Sequence, residues 1–171
     1  MTDRWAGVLD DTEHAEVCAV VDRWAASALA EGTFLVAAER TGGEDAAARG
    51  TPRWALRFQG EEKELVTVWL TLHQRTLRHE VQLMPAPEEH VAETYAYLLR
   101  RNADLWGMTF AIGAEDALYL VGRVPVERVD DVELDRIVGA SLAAVDECFP
   151  TAMSLGFASR FRRRPPAHRR G

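Results

Sequence analysis

Trp54-Ala55-Leu56-Arg57-Phe58-Gln59-Gly60-Glu61-Glu62-Lys63-Glu64-Leu65-Val66-Thr67-Val68-Trp69-Leu70-Thr71-Leu72 alternates on both sides of one turn. Before the turn Trp54, Leu56 and Phe58 share a face; after it Val66, Val68, Leu70 and Leu72 do the same. A period of two, β-branched and aromatic residues, and Gly60-Glu61-Glu62 in between describe a hairpin with one buried side. His73-Gln74-Arg75-Thr76 then interrupts the pattern, and Leu77, His79, Val81 and Leu83 resume it. Three consecutive antiparallel strands are expected from this stretch.

Upstream, Asp10-Asp11-Thr12-Glu13 is rich in capping residues, and Val17, Cys18, Val21, Trp24, Ala25, Ala28 and Leu29 recur at helical spacing. That predicts an amphipathic helix from about residue 12 to 31, stopping at Gly32. Phe34 to Ala38 alternates weakly and could form a short strand, and the polar, Ala- and Gly-rich run from Thr41 to Pro52 reads as a loop. Downstream, Pro85-Ala86-Pro87 ends the sheet and Glu88-Glu89 starts a helix carrying Val91, Tyr95, Leu98 and Leu99. Its acids come first and Arg100-Arg101 last, matching the helix dipole, and Asn102 stands where a left-handed cap is expected. Met108–Gly113 and Leu118–Val124 form a second hairpin around Ala114-Glu115-Asp116-Ala117. Asp130-Asp131-Val132-Glu133 opens a last helix, striped by Leu134, Ile137, Val138, Leu142 and Val145 and ending near Phe149-Pro150. Elements in blocks point to an α+β class: an antiparallel sheet with helices on one face, in the order α-β-β-β-α-β-β-α.

The 171 residues, 47% hydrophobic and 27% charged, fit one domain, here expected over 1–159, followed by a basic tail over 160–171. No apolar run is long enough to span a membrane and the first residues lack a signal-peptide pattern, so a cytoplasmic protein is expected. The formal charge is −7, yet the last twelve residues hold six arginines and no acid. Without them the balance is 14 basic against 27 acidic residues, which disfavours nucleic acid as a partner. Cys18 and Cys148 stand alone, so neither a CxxC pair nor a cysteine zinc site can be written.

Catalytic and cofactor motifs fail on context. The single lysine, Lys63, lies between glutamates rather than in a P-loop, and no GxGxxG follows a strand. His79-Glu80 begins an HExxH, but Leu83 replaces the second histidine and the segment is a strand. Ser141 and Ser154 imitate nucleophile elbows without the preceding strand that exposes the hydroxyl. The acid pairs Asp10-Asp11, Glu88-Glu89 and Asp130-Asp131 all stand at helix starts, where capping accounts for them. No cofactor, metal or catalytic set is therefore assigned. Trp69 points away from the Val66-Val68-Leu70 face; that second face is either an adhesive patch or is covered by a helix or another subunit.

The segments Tyr97-Leu98-Leu99-Arg100-Arg101-Asn102, Gly107-Met108-Thr109-Phe110-Ala111-Ile112, Tyr119-Leu120-Val121-Gly122-Arg123-Val124-Pro125, Glu133-Leu134-Asp135-Arg136-Ile137-Val138-Gly139 and Leu155-Gly156-Phe157-Ala158-Ser159 resemble the YbjN family of bacterial proteins. The resemblance covers about residues 53 to 160. It implies a fold similar to type III secretion chaperones and a regulatory or chaperone-like role, with no catalytic residues to carry over. Asn102, Gly107, Gly122 and Asp135 look like turn, cap and packing positions. The resulting expectation is a non-enzymatic homodimer that binds another protein through an apolar patch or a sheet edge, with Trp54 and Trp69 as binding residues. The helix from 87 to 102 with the 108–124 hairpin is the expected dimer contact. The competing expectation is a small-ligand sensor or cryptic enzyme with a pocket between sheet and helices.

Overall fold

A computed structural model describes residues 9–32, 34–42 and 50–161. Asp10 opens the first helix: its carboxylate accepts the N–H groups of Thr12 and Glu13, and Glu13 Oε2 accepts the N–H of Asp10. This reciprocal box satisfies donors that a helix start leaves free. The helix α1 (Asp11–Glu31) stops at Gly32, whose φ of 64° is a left-handed cap.

Four strands follow: β1 (Leu35–Thr41), β2 (Arg53–Gln59), β3 (Leu65–Leu72) and β4 (Thr76–Met84). After them come α2 (Val91–Arg101), β5 (Met108–Ile112), β6 (Leu118–Pro125) and α3 (Asp131–Gly156). The strands form one sheet in the order β1-β2-β3-β4-β6-β5, and every neighbouring pair is antiparallel. The α+β class and the central hairpin agree with the sequence pattern, but the element order needs one more strand before α2. That strand is β1, which the weak alternation after Phe34 allows but does not place in the order; its register shifts at a bulge between Leu35 and Ala37 and so breaks the period of two.

Strand side chains alternate between a buried and an open face. Trp54, Leu56 and Phe58 of β2, Val66, Val68, Leu70 and Leu72 of β3, and Leu77, Val81 and Leu83 of β4 all join one core. Val21 and Cys18 of α1, and Leu134, Val145 and Cys148 of α3, close that core from the helix side. Two indoles pin α1 in place: Trp24 Nε1 donates to Asp135 of α3 at 2.8 Å, and Trp54 Nε1 donates to Asp22 at 2.7 Å. At the β2–β3 turn Asp146 Oδ1 accepts the N–H groups of Glu61 and Glu62, and Lys63 Nζ donates to the carbonyl oxygen of Gln82.

Three local expectations change. First, α3 does not end near Pro150; it runs on to Gly156 with Pro150 inside it. The missing proline N–H is tolerated because the next turn buries Ala152 and leads into buried Phe157. Second, Asn102 adopts right-handed φ/ψ, not a left-handed cap, and its side chain is used elsewhere, as described below. Third, Glu88 and Glu89 do not cap α2, which starts at Val91 behind His90 with no side-chain cap. Glu89 instead accepts the N–H and hydroxyl of Ser159, and Glu88 pairs with Arg160, so both hold the chain after α3. The expected basic tail lies outside the described residues from 162 onward.

Candidate protein-binding surface

Trp54 cannot serve as a contact residue in this conformation. It faces the helices, is 1% exposed, and spends its N–H on Asp22. An alternating strand puts every second residue inward, and Trp54 shares the inward face with Leu56 and Phe58. Trp69, one step out of phase with Val68 and Leu70, lies on the face that none of the described helices covers, the helix-free face. There it is opposite Ala55 on one side and Glu80 on the other. The Arg53 guanidinium stacks 4.0 Å from its ring centroid and donates to Glu80 at 3.1 Å, so Trp69 is partly covered by a cation rather than bare.

A second surface, at the β5 edge of the sheet, was legible only as the expected dimer contact. The amphipathic α2 turns Leu98 and Thr94 inward and leaves Val91, Tyr95 and Leu99 along one flank at steps of four. This flank and edge strand β5 enclose a cleft of about 290 Å³ lined by Tyr95, Leu98, Leu99, Phe110, Ala111, Ile112 and Leu118. Leu99 is 67% exposed and Ile112 54%, so the cleft continues into an apolar rim.

Asn102 sits between the two elements of this cleft. Its Oδ1 accepts the Phe110 N–H at 2.6 Å, and its Nδ2 donates to the Phe110 carbonyl at 3.3 Å. One side-chain amide thus takes both outward-facing backbone groups at the middle of β5, in place of a further strand. An edge strand guarded in this way resists strand addition.

His79 and Glu80 separate onto opposite faces, as residues of a strand must. His79 is 1% exposed, and burial, reinforced by the positive charge of Arg136 and opposed by Glu133, pushes its pKa down to about 4. Its Nε2 lies against Gly122, where any side chain would collide with the ring and with the Gly107 carbonyl. Gly107 itself has φ of 75°, turning the chain into β5. Glu133 holds Arg136 through both oxygens, at 2.7 and 2.5 Å, and Arg136 stacks on exposed Trp106. Among the described residues no group of three His, Cys, Asp or Glu side chains could hold a metal ion. No described helix is long and apolar enough to cross a membrane. Ser141 and Ser154 both lie inside α3.

Comparison with known proteins matches this architecture. In solved structures, a chain of the ExoU–SpcU heterodimeric complex from the type III secretion system of Pseudomonas aeruginosa is similar over 76% of this chain and 95% of its own. The TM-score is 0.51 at 16% identity. The type III secretion chaperone SycH of Yersinia pestis, solved with a fragment of YscM2, aligns at a TM-score of 0.45 and 14% identity, over 77% of this chain and 96% of its own. Among curated proteins, uncharacterised protein Rv0487 of Mycobacterium tuberculosis is 32% identical over 112 residues, 66% of this chain. Uncharacterised protein ML2442 of Mycobacterium leprae is 31% identical over 110 residues, 64% of this chain. The chain spans about three-fifths of the length of these relatives, 61% and 60%. The profile described as "Putative bacterial sensory transduction regulator" matches residues 33–153. The chain belongs to the YbjN family.

Proposed function

We propose that this protein is a non-catalytic, cytoplasmic binding protein of chaperone-like or regulatory type, working as a homodimer. The dimer forms through α2 and β5, and the helix-free sheet face around Trp69 receives a protein partner. The observation that carries this reading is the apolar cleft between α2 and β5, bordered by exposed Leu99 and Ile112. Its lining has a single polar side-chain group, the Tyr95 hydroxyl, where a small-ligand site brings several polar groups together. An apolar patch of this kind suits a two-fold contact, in which each copy offers the same surface.

Light scattering across a concentration series tests the dimer. The wild-type chain should have twice the monomer mass, and Leu99→Lys should shift it to monomer without loss of secondary structure, because Leu99 lies outside the core. A wild-type protein that stays monomeric at every concentration refutes the dimer.

A further inference from the structure

One row across the helix-free face gathers arginine from three of its strands. Arg53 of β2 stands opposite Thr71 of β3, Thr71 opposite Arg78 of β4, and Arg78 opposite Arg123 of β6. Like charges directly opposite one another destabilise a strand pair, so Arg78 and Arg123 together work against the sheet they sit on. A single acid lies among them. Glu80 takes Arg53 on Oε1 at 3.1 Å and Arg78 on Oε2 at 2.7 Å. Arg123 is exposed and has no ion-pair partner among the described residues. Three cations against one carboxylate make a positive row, beside the mutually neutralised Arg57–Glu39 pair of the same face, on a chain of formal charge −7.

Two of these cations are also held in place. Glu80 and the Trp69 ring fix Arg53, and Glu80 fixes Arg78. Each guanidinium has five N–H donors, so one contact to Glu80 leaves donors free to point outward. Groups positioned before a ligand arrives lose less freedom on binding.

We propose that this row binds an extended acidic segment of a partner protein, with carboxylates on alternate residues. The inference rests on reading the helix-free face as a protein-binding surface and supplies the chemistry of its partner. The distance from Arg53 to Arg123 is three strand spacings, about 14 Å, and residues i and i+4 of an extended chain lie about 13 Å apart. Acids at i, i+2 and i+4 therefore span the row, and the Thr71 hydroxyl between the arginines meets a backbone group. A long polyanion fits less well. It would pass over Glu80 and then meet a body with 27 acidic residues.

Fluorescence anisotropy with a labelled Val-Glu-Val-Asp-Val-Glu-Val peptide tests this on the full chain. The acidic peptide should bind and weaken with salt, whereas the Gln/Asn version should not bind. R123Q should raise Kd about three- to fivefold, the value of one exposed charge pair, and R78Q/R123Q about tenfold. Amide shifts in the unmodified protein should centre on Arg53, Trp69, Thr71, Arg78 and Arg123, which keeps the test independent of variant folding. Equal binding of the neutral peptide, an unchanged Kd in the double variant, or tighter binding of a short oligothymidylate overturns the proposal. Light scattering on the same samples separates the two readings. Peptide binding to a monomer upholds the arginine row and sinks the dimer, and an intact dimer without peptide binding does the reverse.

Discussion

Replacing Asn102 by alanine removes both hydrogen bonds to Phe110 at once. Each is partly buried and joins neutral groups, so each contributes about 1 kcal/mol net, and the variant should lose about 2 kcal/mol. For a chain of this length that corresponds to a fall in Tm of about 4–8 °C. N102D keeps an acceptor for the Phe110 N–H but sets a carboxylate oxygen against the Phe110 carbonyl, so it should not recover wild-type stability. Urea denaturation gives the order, and hydrogen exchange gives the location. The Phe110 amide should lose protection in N102A, while Thr109 and Ala111, whose groups face β6 by strand alternation, should change little. If N102A unfolds within about 0.5 kcal/mol of wild type, a surface-like value, or the Phe110 amide stays protected, the clamp is not what holds this edge.

Gly122→Ala should destabilise by about 1–3 kcal/mol in chemical denaturation, because the new methyl group meets the His79 ring and the Gly107 carbonyl. A neutral result would mean the sheet opens there freely. His79 gives a pH signature. Its folded pKa of about 4 lies below the unfolded 6.5, so the unfolded chain binds more protons between those values. The stability contribution is complete above pH 6.5 and is lost as pH falls to 4, about 3 kcal/mol in all. H79Q should show a flatter stability curve across that window; an unchanged slope would mean another group titrates.

The sequence carried the sheet because its strongest segments bury one face only. Val66, Val68, Leu70 and Leu72 need no tertiary information to declare their side. β1 stayed faint because a bulge shifts its register and its outer residues include Val36, Glu39 and Thr41, which are exposed. Pro150 gave the wrong stop for α3 because a local breaking signal lost to the burial of the turn beyond it. The site was less legible than the fold. Asn102 was visible as a helix-end residue, but its hold on Phe110 depends on how the chain returns after α2. Alternation put Trp54 with Leu56 and Phe58, which already marked it as core. The arginine row needs the register of four strands, since Arg53, Thr71, Arg78 and Arg123 are spread through the chain.

Lys63 is the chain's sole lysine. Burial lowers its pKa, and its Nζ lies 6.0 Å from the Phe149 ring centroid and 3.4 Å from the Leu83 carbonyl. N-hydroxysuccinimide esters therefore meet one side-chain amine, at the β2–β3 turn. A bifunctional amine reagent that joins two such side chains reads a single Lys63-to-Lys63 separation, turning one residue into a molecular ruler for how copies are arranged.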